Sequence, residues 1–296
     1  MKIRPTKQQA IKAAINLTPQ YADLLKDIQK GNGRITFSSE IFNIQNNLGK
    51  YVLIYDDERK IGRAFFQFLL GFEGYKDLEK ELAEMSLEEQ KNWVEELADN
   101  EEIVHSFDEF EIPHSSSEWD RAREALAALP ENERKETEKQ GVAFWSFIFS
   151  SFFNTLSLMI HGAKLTTLVP QALAGDDDAF LKAIQIDRML LLHYPYFKER
   201  KFKAQDEQDR EFLSKISYRE NNPPVRGKIR YPALYMLFGV LDTYQWLDDI
   251  TKVDILNACD EANLHRYQNR IEDETYLANR LRDYRRWQKF NCLSMR

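Results

Sequence analysis

Residues 143–164 read AFWSFIFSSFFNTLSLMIHGAK, and the fold turns on whether this run crosses a membrane or fills a core. From Gly141 to Ala163 there is no Asp, Glu, Lys or Arg, a length sufficient for a bilayer. On a helical wheel Ser146, Ser150, Asn154, Ser157 and His161 follow at spacings of 4, 4, 3 and 4 and make one polar stripe, widened by Ser151 and Thr155. The remaining surface is Phe, Trp, Leu, Ile and Met. A helix apolar over most of its circumference is buried either in lipid or in a large core. Seven of the 23 uncharged positions are Ser, Thr, Asn or His, and Asn and His are costly at mid-bilayer. No second span and no flanking basic cluster accompany it. The expectation is a central core helix and no membrane contact. Small hydroxyl residues let a neighbouring helix approach closely and can bond back to the carbonyl four residues earlier. A sharper alternative makes the stripe the wall of a pocket, with Asn154 and His161 as its polar anchors.

Working outward, most of the chain has helical periodicity. After it, Ala174-Gly175 is a helix stop, and Asp176 caps a further helix with Asp177 and Asp178 in its first turn, where the helix dipole favours acids. Tyr231-Pro232 opens another buried helix. Thr251 and Asp254 approximate a capping box, and Asn263 is a candidate left-handed stop. These signals predict a helical bundle over 118–296. Before it, Thr6 caps a helix to Leu17, and Thr18-Pro19 is expected to open a second one to Lys30, an αα-hairpin. ITF (35–37) and YVLIY (51–55) look like strands of a small β-hairpin near 34–56. The fold class is therefore mainly α, a helical bundle with one small hairpin. The segment Ile112-Pro-His-Ser-Ser-Ser117 divides a 1–112 region from the 118–296 bundle.

Charge is unevenly spread. The chain of 296 residues carries a net −7 with pI near 5.5, which disfavours a dedicated nucleic-acid binder. Residues 76–112 hold fourteen acids against Lys76, Lys80 and Lys91, a net −11. Within them Ser86-Leu-Glu-Glu89 is a capping box that starts an acidic amphipathic helix. Residues 1–35 carry seven basic residues against Asp23 and Asp27, and 265–296 carry eight against four acids. On the last helix Arg282, Arg285, Arg286 and Lys289 share one face, opposite Leu277, Leu281 and Tyr284. This face is a candidate for nucleic acid or an acidic partner, with the −11 segment of the same chain as one such partner. The bland reading is a terminal helix whose cations stay solvated and complement its dipole.

Arg188-Met-Leu-Leu-Leu-His193 is the one candidate for catalysis. The spacing of Arg and His resembles the motif of HEPN-domain ribonucleases, which lies on a helix and pairs across a dimer. The resemblance implies metal-independent RNA cleavage, with His193 as general acid or base and Arg188 stabilising the phosphate charge. The alternative is structural: Arg188 pairs with Asp187 or another acid at a bundle edge, and His193 caps a helix C-terminus before Tyr194-Pro195.

His105, Asp108, Glu109, Glu111 and His114 lie close in sequence, but the two His are nine residues apart without helical register, so this reads as solvated charge and no metal site is expected. The common nucleotide and hydrolase signatures are absent, so no cofactor is expected. Two cysteines, Cys259 and Cys292, without ligand spacing suit a reducing cytoplasm, and no apolar leader follows the first charges. The overall expectation is a cytoplasmic, non-enzymatic interaction or regulatory protein that binds a protein partner or itself. The alternatives are a HEPN-like ribonuclease using Arg188 and His193, and a DNA-binding protein using the C-terminal basic helix.

Overall fold

The computed structural model describes residues 7–30, 55, 84–86, 89, 121, 124–222, 231–264 and 274–294. They are mainly helical, with no strand among the described residues. The elements are α1 Lys7–Lys30, α2 Glu131–His161, α3 Leu165–Leu173, α4 Asp177–Ile186, α5 Leu190–His193, α6 Pro195–Asp206, α7 Arg210–Asn221, α8 Pro232–Thr243, α9 Lys252–Glu261 and α10 Glu274–Ser294. None of them is long and apolar enough to cross a membrane. The opening question is thus answered by α2: Phe152, Phe153, Leu156, Met159 and Ile160 are fully enclosed by protein.

The chain forms two compact units, one of residues 1–6 and 59–148, the other of 7–58 and 149–296. The boundary expected at 112–117 lies outside the described residues. In the first unit the Ser86 capping box is formed: the Ser86 amide donates to the Glu89 carboxylate at 2.7 Å, and the Glu89 amide donates to Ser86 Oγ at 3.3 Å. This bond to Ser86 holds the Glu89 carboxyl below its ordinary range. Pro130 ends the helix before α2, as its missing amide requires.

In the second unit, one expectation fails at once. Residues 7–30 are a single helix with Pro19 inside it, not two helices joined at Leu17-Thr18. Thr18 is buried and its hydroxyl has no partner among the described residues, so it caps nothing. The reason is burial. Ala10, Ala14, Leu17, Tyr21 and Leu25 lie on one continuous face that is enclosed on both sides of the proline. An interior proline costs about 3 kcal/mol, whereas burying each large apolar side chain gains roughly 1.5–3 kcal/mol. Residues 34–54, where the β-hairpin was expected, lie outside the described residues. Tyr55, the last residue of the expected YVLIY strand, sits in a 3-10 turn.

α1 packs on α8 and α9, and Lys7 ion-pairs with Asp254 at 2.6 Å. α2 meets α8 closely at Gly239. A Cβ there would stand 2.8 Å from Thr155 Cγ2 and 2.7 Å from Met159 Sδ. A second aromatic core joins α4, α6 and α7, where Phe180 stacks on Phe197 at 4.6 Å and meets Phe212 at 5.5 Å. α10 closes over α8 through Tyr284, whose ring lies 5.3 Å from Tyr235 and 5.5 Å from Phe238.

The expected punctuation is present. Asp176 accepts from the amides of Asp178 and Ala179, and Thr251 Oγ1 accepts from Asp254. Gly175 has φ +100° and Asn263 φ 53°, both left-handed stops.

Candidate functional site

The polar stripe of α2 organises the second unit, and its members can be followed one at a time. Ser150 donates to the Tyr55 hydroxyl, which in turn bonds the Asp187 carboxylate. Ser151 bonds Tyr21 and Tyr244. Asn154 Oδ1 accepts from the Thr166 amide at 3.1 Å. That amide belongs to the first turn of α3, whose own N-cap, Lys164, supplies no side-chain bond. Asn154 therefore caps α3 from another helix and satisfies a donor that would otherwise be buried. Thr155 Oγ1 lies 3.0 Å from Thr243 Oγ1, and Thr243 donates to the Gly239 carbonyl four residues earlier at 2.8 Å. Ser157 donates to the Ala163 carbonyl at 2.7 Å. The stripe thus fastens α2 to its surroundings, as close helix approach requires.

His161, the last member, differs. Both ring nitrogens are buried without a hydrogen-bond partner. Burial, with the nearby Arg219 and Lys182 cations adding to it, pushes the imidazole down to about 3. The Lys182 backbone, close to the ring, acts in the opposite direction as the smallest of these effects. Arg219 Nη1 donates to the buried Gln185 Oε1 at 2.6 Å, and Lys182 ion-pairs with Asp178 at 2.5 Å. Of the two pocket anchors expected from the sequence, Asn154 is thus consumed by α3, while His161 stands in a cationic environment with Lys182 and Arg219. Sequence reasoning missed these two cations. They come from α4 and α7, and no local pattern links them to His161.

Asp187 is the other perturbed group. It is enclosed on all sides, accepts from the Met189 amide at 3.0 Å and bonds Tyr55. Burial pushes its carboxyl up to about 6, against the lowering effect of Met189, Tyr55 and Arg188.

Arg188 and His193 do not share a helix. Arg188 lies in the turn before α5, and its Nη1 donates to the Glu220 carbonyl of α7 at 3.4 Å. His193 ends α5, a helix of four residues. This departs from the family pattern, in which the motif lies along one helix.

The basic face of α10 is divided. Arg285 is half-buried and holds Asp242 at 2.7 Å and Asp248 at 2.9 Å, with Gln288 also on Asp242 at 3.2 Å. It fastens α10 to the α8 end of the bundle. Arg282, Arg286 and Lys289 are exposed. Arg280, just outside the expected set, lies over the rings of Tyr231 and Tyr276 at 4.8 and 5.0 Å and ion-pairs with Asp283. His105, Asp108, Glu109, Glu111 and His114 lie outside the described residues, and no group of His, Cys, Asp and Glu suited to a metal occurs among the described ones. Cys259 is buried, and burial pushes its thiol up to about 12. No protein family, curated protein or solved structure matches the chain.

Proposed function

We propose that this chain is a non-catalytic interaction or regulatory protein that docks an acidic protein surface, a second copy of itself included, through the outer edge of α10. One observation carries the reading: Arg282, Arg286 and Lys289 are exposed at positions i, i+4 and i+7 of that helix, while Arg285 is paired with Asp242 and Asp248 of the same chain. Cations so spaced form one row along a helix. The −11 segment at 76–112 is a stretch of opposite sign within the same sequence. A ribonuclease using Arg188 and His193 is the weaker alternative, because Arg188 is placed in a turn and reaches a main-chain carbonyl. DNA binding through α10 is weaker too, since Arg285 is already paired with Asp242 and Asp248.

The test is size-exclusion chromatography with light scattering and absorbance at 260 and 280 nm, in low and high salt. A protein-like ratio and a mass above 35.0 kDa that falls to it in high salt is the expected result. Arg282→Glu with Arg286→Glu and Lys289→Glu is expected to give the smaller species at low salt too. A monomer at every salt that captures no acidic protein rejects the reading, and a nucleic-acid ratio replaces it with the DNA or RNA alternative.

A further inference from the structure

We draw no further inference here: the strongest candidate, the side-chain cluster on α10 in which Arg280 buries Nε and Nη1 without a hydrogen-bond partner, carries nothing, because its guanidinium is already held over the rings of Tyr231 and Tyr276 at 4.8 and 5.0 Å and by Asp283 at 3.2 Å and nothing among the described residues points to a ligand there.

Discussion

Asp187 and His161 are perturbed in opposite senses, and stability should record both. The folded Asp187 carboxyl is raised from 3.8 to about 6. Its protonated form is favoured by folding, so its contribution is full below 3.8, declines as pH rises toward 6 and stays lost above that. By linkage the loss is about 3 kcal/mol, to order of magnitude. The folded His161 imidazole is lowered from 6.5 to about 3. Its neutral form is favoured, so its contribution is full above 6.5 and declines as pH falls toward 3. Between about pH 4 and 6 the two slopes oppose each other. Urea denaturation as a function of pH separates them. Asp187→Asn is expected to be more stable than the wild type by about 1–3 kcal/mol at pH 8, with the difference shrinking to zero near pH 4 and a steeper acid loss exposed. His161→Gln should show the reverse, a gentler acid limb. Identical pH profiles for all three proteins would refute both assignments. Asn154 makes a purely structural prediction: Asn154→Ala removes the side-chain acceptor of the buried Thr166 amide, at about 1–3 kcal/mol, with the urea slope unchanged.

At the scale of elements, the contacts that matter are those where one helix imposes on another. Gly239 lets α8 lie against α2. In Gly239→Ala the new methyl meets Thr155 Cγ2, which a β-branched side chain cannot easily withdraw, as well as the more pliable Met159. Overpacking costs typically 1–3 kcal/mol, offset in part by roughly 1 kcal/mol of helix propensity. A net loss is expected in thermal denaturation, and a higher Tm would show that the interface has slack. Pro19 offers the converse. Pro19→Ala restores an amide for the Ile15 carbonyl within α1 and is expected to stabilise the protein by about 1–3 kcal/mol. Arg285→Ala removes the ties to Asp242 and Asp248, and partial exposure limits the expected loss to about 1–2 kcal/mol. That variant would also weaken partner binding only through α10 placement, unlike Arg286→Glu, which leaves the bundle intact.

At the scale of the whole molecule, the docking proposed for the α10 edge makes association depend on salt. Attraction between a row of cations and an acidic surface is screened within about 8–10 Å at physiological ionic strength, so a docking reaction that rests on it must weaken as salt rises. The triple Glu variant at Arg282, Arg286 and Lys289 should lose partner binding by about tenfold or more while melting at the wild-type temperature, read by light scattering and by calorimetry. A parallel loss of Tm would mean that these cations hold the fold instead.

The sequence by itself determined the helical class and much of its punctuation. The caps at Ser86, Asp176 and Thr251 and the stops at Gly175 and Asn263 are local events, set by one side chain or one backbone angle within a few residues. It also determined that 148–160 is a core segment, because a polar stripe at helical spacing is a property of the segment alone. Only the tertiary structure decided what each stripe residue does. Asn154 is occupied by α3 and Thr155 by α8, whereas His161 is left with two cations brought from α4 and α7. The same dependence on distant chain explains the errors. Pro19 reads as a helix start until the burial of Leu17, Tyr21 and Leu25 outweighs it, and Arg285 reads as a surface cation until Asp242 and Asp248 are folded against it. Local signals act over one or two turns, but burial and charge pairing are settled between residues that can be hundreds of positions apart.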